Sequence, residues 1–334
     1  MIAKKWIRQN DFQGLPKVSD FKVVKETLPD TLKDREILIE AEYYSVDPYM
    51  RGTMFNSPDS TMPGSQVARV IQSRHPDYPV GTKVIAFVGW RDRTIYNPDL
   101  VKKMTFFHKL PDLKGLPDSY ALGVLGMPGN TAYFGVEKIL KIKEGGTLVV
   151  NSAAGAVGSI ACQIGKLKGC KVLAFTGSFE KTLWLKRIGA GYIFDYNIVD
   201  IDETLKEYAP EGVDYYFDNV GGDFSCQVMK HMKPHGKIAL CGAISCYNNV
   251  DPDTKCVTIP FDYNTFIYKH ITMEGFRVTE YESEWLDGIT NIRDLILEGK
   301  VSAEETISKG FESMPEAFIN LFKGGNIGKQ VVKA

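Results

Sequence analysis

The run Leu148-Val149-Val150-Asn151-Ser152-Ala153-Ala154-Gly155-Ala156-Val157-Gly158 constrains the fold of this chain more than any other segment. Its first three residues read as a buried strand, the small residues as a tight turn, and Ala156–Lys168 as the helix that follows. Strands alternating with helices in this way demand parallel βαβ units with right-handed crossovers. The turn has the pattern Ala153-x-Gly155-x-x-Gly158, one residue short of the full glycine fingerprint of a dinucleotide site. Gly155 lets backbone approach a pyrophosphate, Gly158 lets the helix lie close on the strand, and the helix start offers unpaired N–H groups to the anion. Small residues also suit a helix that merely starts tightly after a buried strand, so the order strand, turn, helix carries the cofactor reading.

Further strands are predicted at Lys171–Thr176, Tyr192–Asp195, Val213–Asp218, Lys237–Leu240 and Ile271–Phe276. Helices fit at Phe179–Ile188, at Phe224–Met232 before Pro234, and near Glu284–Glu298. Upstream of residue 120 the pattern differs, with short alternating or β-branched runs such as Glu36–Ala41 and Thr82–Val88 punctuated by Pro and Gly, as in a β-rich barrel. The tail has strand-like ends, Thr306–Ser308 and Gln330–Lys333, around a helix Pro315–Phe322. The expected organisation is therefore a β-rich domain of residues 1–122 and 301–334, with an inserted α/β nucleotide-binding domain of residues 123–300.

The end of the second strand of such a unit selects the cofactor, since an Asp or Glu there holds the ribose 2′-hydroxyl of NAD. Here Thr176-Gly177-Ser178-Phe179-Glu180-Lys181 offers space, a hydroxyl and a cation instead, which favours NADP. Lys181 also reads as a solvated helix charge beside Glu180. Asn219, in Phe217-Asp218-Asn219-Val220-Gly221-Gly222, stands where open α/β sheets place ligands, although strand-end Asn also serves as a turn former. Cys241–Tyr247 follows the next strand in the same topological position.

Lys and Arg total 40 against 41 Asp and Glu, a net charge of −1 without blocks of like charge, which argues against nucleic-acid or membrane-surface partners. The longest uncharged stretch, 145–165, is broken by Gly, Asn151 and Gln163 and reads as strand, turn and helix rather than a membrane span. MIAKKWIRQN lacks the apolar core of a signal peptide, so the expected address is the cytoplasm, with the six cysteines reduced. No cysteine precedes Cys162, and His75 and His108 sit in no ligand pattern, so no metal is expected.

The words Val46–Arg51, Gly126–Gly129, Thr131–Gly135, Ala153–Gly158, Tyr216–Gly222 and Cys241–Ser245 together resemble the zinc-independent medium-chain dehydrogenase/reductase family over nearly the whole chain. That resemblance implies a GroES-like β-rich catalytic domain joined to a Rossmann domain that binds NADPH. It implies that Gly155, Ala156, Val157 and Gly158 meet the pyrophosphate, Lys181 and Tyr196 the 2′-phosphate, and Asn219 the cofactor midsection. Cys241, Gly242, Ala243, Ile244, Ser245, Phe276, Arg277, Val278 and Asn326 fall on the nicotinamide side. Tyr49, Tyr247 and Tyr268 surround the substrate and nicotinamide ribose in the family, while each alone reads as a packed aromatic. Zinc-dependent relatives have a Cys near Asp47 and Gly-His-Glu near Gly64-Ser65-Gln66. The implied activity is hydride transfer to the β-carbon of a small, lipid-derived α,β-unsaturated ketone or aldehyde, by a homodimer. Quinone reduction and a non-catalytic NADPH-binding scaffold are the alternatives. The segment 248–264 departs from the family's proline-rich loop.

Overall fold

The computed structural model describes residues 1–52, 57–101, 103–248 and 261–334, so Cys256 and most of the 248–264 segment lie outside the described residues. The chain forms two compact units, Met1–Met127 with Glu305–Ala334, and Pro128–Glu304. The first begins with β1 (Ile2–Arg8), β2 (Phe21–Thr27), β3 (Ile37–Ser45), β4 (Gln66–Ser73), β5 (Lys83–Ala86), β6 (Arg93–Tyr96) and β7 (Phe107–Lys109). After α1 (Met127–Phe134) the second unit runs β8 (Thr147–Val150), α2 (Gly158–Leu167), β9 (Lys171–Thr176), α3 (Phe179–Arg187), β10 (Tyr192–Asp195) and α4 (Ile201–Tyr208). It continues with β11 (Val213–Asp218), α5 (Gly222–Lys230), β12 (Met232–Leu240), α6 (Tyr263–Lys269), β13 (Thr272–Gly275) and α7 (Trp285–Leu297). The chain then returns to the first unit as β14 (Glu305–Lys309), α8 (Met314–Phe322) and β15 (Lys329–Lys333).

In the first unit the strands order β14-β15-β3-β4-β5-β7, with β6 also on β3, and β1 and β2 form an antiparallel pair. Most pairings are antiparallel, and the returning tail adds β15 beside β3 by Val331 opposite Ser45. An aromatic core fills this unit. Trp90 lies 5.9 Å from Phe21 and from Phe318, and the Trp6 indole N–H donates to the Phe311 carbonyl at 2.9 Å. The tail residues Phe311 and Phe318 thus complete a core begun by Trp6 and Phe21, which ties the two ends of the chain together.

The second unit is a parallel sheet in the order β10-β9-β8-β11-β12-β13, the 3-2-1-4-5-6 arrangement of a Rossmann fold. β8 is buried along its whole length, as expected of a central strand covered by helices on both faces. Gly165 lets α2 settle on it, since a Cβ there would stand 2.5 Å from the Leu148 side chain. Strand order reverses between β8 and β11, and the crevice at such a switch point is where these sheets hold ligands. α1 and α6 are helices outside the sequence expectation, and two further elements differ from it. α4 is an added helix, capped by the Asp200 side chain on the Glu203 N–H. β12 begins at Met232 rather than Lys237. Its register against β11 jumps between Val213 opposite Met232 and Tyr215 opposite Lys237, so Pro234 sits in an irregularity where no ladder N–H is required.

Candidate functional site

At the switch point the turn after β8 is held from below. The Asn151 side chain, fully buried, donates to the Tyr216 hydroxyl at 2.6 Å and to Asp218 Oδ1 at 2.8 Å. Asp218 Oδ1 also accepts from the Val220 and Gly221 N–H groups at 3.0 and 2.9 Å, and its Oδ2 from the Ser225 hydroxyl at 2.6 Å. This network locks the ends of β8 and β11 in one register. Every partner here is itself satisfied, the condition under which a buried polar cluster rigidifies a site rather than weakening it.

Above it, Ser152 has φ +47° and its carbonyl accepts from the Gly155 N–H at 2.9 Å, which closes the turn. A Cβ at Gly158 would stand 2.3 Å from the Ser152 carbonyl oxygen, so only glycine lets α2 start there. Among the described residues the N–H groups of Ala156, Val157 and Gly158 have no acceptor, leaving donors and the positive end of α2 directed at one place. This arrangement fits an anion such as a pyrophosphate.

One strand over, the Ser178 hydroxyl caps α3 by accepting from the Lys181 N–H at 3.3 Å. The expected open space at Gly177 is occupied. A Cβ there would stand 2.3 Å from the Tyr196 hydroxyl oxygen, and the Asn197 amide donates to the Gly177 carbonyl at 2.9 Å. Burial lowers the Lys181 ammonium below its ordinary value, and no carboxylate among the described residues pairs with it. Such a cation gains by meeting a dianion, and Lys181, Tyr196 and Gly177 together fit a 2′-phosphate.

Asn219 serves the turn as well as facing the crevice. Its N–H donates to Asn151 Oδ1 at 2.7 Å and its amide to the Asn151 carbonyl at 2.9 Å. The loop after β12 hangs from the same place, with the Cys241 and Gly242 N–H groups on the Asp218 carbonyl and the Ser245 N–H and hydroxyl on the Val220 carbonyl. Ile244 likewise donates to the Asn219 carbonyl. Burial pushes the Cys241 thiol up to about 12, so it is a neutral packing group. The Tyr247 hydroxyl accepts from the Ala243 N–H at 3.3 Å and burial raises its pKa, which leaves a neutral phenol with its own proton to donate. After β13, the Phe276 N–H reaches the Leu240 carbonyl at 3.4 Å, Arg277 pairs with Glu280 at 3.4 Å, and Val278 is buried.

Within the second unit the sequence-predicted residues therefore gather at the carboxyl ends of β8, β9, β11, β12 and β13, with one exception. Tyr268 stands 80% exposed near the end of α6, just before β13 begins, and so at the amino rather than the carboxyl end of that strand. Tyr49 and Asn326 belong to the first unit. There Tyr49 is half-buried, with its pKa raised by burial and by Asp47, and the Asn326 amide donates to the Gly328 carbonyl at 2.8 Å. Sequence reasoning passed over Asn151, Tyr216, Asp218 and Ser225 as site residues. Asn151 and Asp218 signal themselves only as polar residues at the ends of strands, while Tyr216 lies within β11 and Ser225 on α5.

Among the described residues no group of three or more His, Cys, Asp and Glu is placed to hold a metal ion. Asp47 is instead ion-paired with Lys329 at 3.0 Å, so this donor set does not fit zinc. Among the same residues no helix is long and apolar enough to cross a membrane.

Two domain families match the chain, one described as the N-terminal domain of oxidoreductase over residues 4–104, the other as zinc-binding dehydrogenase over residues 156–293. Prostaglandin reductase 1 of Bos taurus is 46% identical, with 99% of each chain covered. The 2-alkenal reductase (NADP(+)-dependent) of Nicotiana tabacum is 38% identical over 98% of this chain and 96% of its own. The crystal structure of CurA from Vibrio vulnificus in complex with NADPH superposes with a TM-score of 0.89 at 34% identity, covering 99% of both chains.

Proposed function

This chain belongs to the medium-chain dehydrogenase/reductase family, in the company of the prostaglandin reductases, and from that premise we propose that it reduces the carbon–carbon double bond of α,β-unsaturated ketones and aldehydes with NADPH. The observation that carries the cofactor half of this reading is the half-buried Lys181, with no carboxylate partner among the described residues, one turn into the helix that follows Gly177, where Tyr196 lies. When bound, NADPH supplies the hydride. The donors of Ala156, Val157 and Gly158 hold its pyrophosphate, Lys181 and Tyr196 its 2′-phosphate, and Asn219 its midsection. The loop Cys241–Ser245, with Phe276, Arg277, Val278 and Asn326, borders the nicotinamide.

Hydride arriving at the β-carbon leaves negative charge on the carbonyl oxygen, and that oxygen needs donors in the transition state. Tyr247 suits the task, since it keeps its proton at neutral pH and is oriented by the Ala243 N–H. Tyr49 lies on the substrate side. Tyr268 reaches a reacting centre only through a second copy of the chain. β13 is a sheet edge, exposed over most of its length. A two-fold axis there pairs the copies antiparallel and sets the amino end of one β13 against the carboxyl end of the other. We therefore assign a cytoplasmic homodimer acting on small lipid-derived enones and enals.

The test is NADPH oxidation, followed by absorbance, over a panel holding a prostanoid enone, a short alkenal and a quinone, with NADH as control. NADPH-dependent saturation of the enone double bond is the expected result. Preferential quinone turnover, or binding without oxidation, overturns it.

A further inference from the structure

Lys329 opens β15 from a buried position. Its side chain is 4% exposed and pairs at 3.0 Å with Asp47, 8% exposed. The same ammonium donates to the Val46 carbonyl at 2.7 Å and to the Gln330 carbonyl at 2.8 Å, so three protons meet three acceptors. Its stem lies on Gly123, where a Cβ would come within 3.1 Å of Lys329 Cγ. Asp47 is equally committed. Its Oδ2 accepts from the Ser45 hydroxyl and its N–H reaches the Met50 sulfur at 3.4 Å.

The two partners stand beside two functional segments. Asp47 immediately precedes the single helical turn Pro48–Arg51 that carries Tyr49. Lys329 follows Gly328, at φ +64°, whose carbonyl holds the Asn326 amide. One saturated ion pair therefore joins the Tyr49 turn to the Asn326 segment across most of the length of the sequence. Desolvating both charges opposes their attraction, so an apolar pair of similar volume would hold the fold as well, and a buried pair is best explained by the geometry it fixes.

We infer that Lys329 and Asp47 form a positioning clamp that sets Tyr49 and Asn326 for the reduction, without touching the reacting atoms. The inference rests on the proposed enone reduction for its kinetic consequence and on the structure alone for its mechanical one. Lys329 is no proton donor to substrate, because all its protons are engaged inside the fold.

Lys329→Met, Lys329→Arg and the double variant Lys329→Met with Asp47→Leu test it, each read by hydrogen exchange of the 44–52 peptide, NADPH affinity and steady-state kinetics. Lys329→Met is expected to speed exchange in that peptide and lower kcat by about tenfold to about a hundredfold, the scale of a small misplacement of reacting groups. NADPH affinity is expected to hold, since the phosphate sites lie in the other unit. The double variant should regain thermal stability and not kcat, and Lys329→Arg should recover part of kcat. Should Lys329→Met fail to fold, the double variant carries the test. Recovery of kcat together with stability, or unchanged exchange of the peptide, overturns the clamp. A wild-type enzyme inert toward every enone overturns the proposed reaction instead, and the exchange measurement then decides the clamp by itself.

Discussion

Gly177→Ala isolates the source of cofactor choice, because alanine brings volume and no charge. The new Cβ would stand 2.3 Å from the Tyr196 hydroxyl oxygen and 2.6 Å from its Cζ. Ordinary contact lies near ~3.5 Å, so the ring tip must retreat by about 1 Å. Tyr196 is 42% exposed and touches Phe224 edge-on at 6.3 Å, so it swings toward water and loses at most about 1 kcal/mol of ring contact. Gly177 does not have positive φ, and replacing glycine where alanine fits returns ~0.4–1 kcal/mol through the unfolded chain. Stability is thus expected to stay nearly level.

NADPH binding is not. A hydrogen bond to a charged group contributes ~1.5–3 kcal/mol, so withdrawing the Tyr196 hydroxyl from the 2′-phosphate weakens NADPH by about 10-fold to about 150-fold. NADH has no such phosphate and its affinity should stay within about threefold, less than half the ~1.4 kcal/mol that makes a tenfold change. Fluorescence titration of both cofactors against the variant, with a thermal melt as control, makes the comparison. Equal loss for NADPH and NADH shows that Gly177 serves general packing. Unchanged NADPH affinity removes Tyr196 from the phosphate site.

Other consequences follow from the same geometry. Asn151→Ala removes one of the four donors to the buried Asp218 carboxylate and leaves the Asn219 N–H without its acceptor, and should lower the urea-unfolding free energy by about 1–3 kcal/mol, read from the transition midpoint, while weakening NADPH. Tyr247→Phe should lower kcat by about tenfold to about a hundredfold with NADPH affinity held, and Tyr268→Phe should lower turnover of the dimer alone. Asp99, hydrogen-bonded by Arg35 and His75, is held at about 2 against an ordinary 3.8. A depressed carboxylate stabilises the fold fully above pH 3.8 and ceases to as pH falls through about 2, so Asp99→Asn should flatten the acid limb of stability within that window. Since no set of ligands for a metal is assembled among the described residues, turnover is expected to survive dialysis against a chelator.

The strands of the nucleotide sheet were legible because burial on both faces writes itself as an unbroken apolar run, as in Thr147–Val150 and Lys171–Thr176. The turn at Gly155–Gly158 was legible because its geometry admits only small residues. α4 escaped because its apolar face is short, although Asp200, Asp202 and Glu203 at its start and Lys206 at its end spell its polarity. The strand start at Met232 was hidden by Pro234, a residue that ends a helix and, at an irregularity, interrupts no strand.

The site divides along the same line. Asn151 and Asp218 end strands with side chains that serve a turn as readily as a buried network, and composition does not distinguish the two. Only the pairing of β8 with β11 puts Asn151 beside Asp218. Tyr196 could be assigned to a phosphate by resemblance, yet its place over Gly177 depends on β9 and β10 lying side by side with Thr176 opposite Asp195. The Lys329 and Asp47 pair is the extreme case. Its partners are brought together by Val331 pairing with Ser45 across β15 and β3, and no local period in either segment records the other. What a sequence conceals is therefore the set of contacts created by strand pairing between distant segments. In this chain those contacts are what hold the candidate site residues in place.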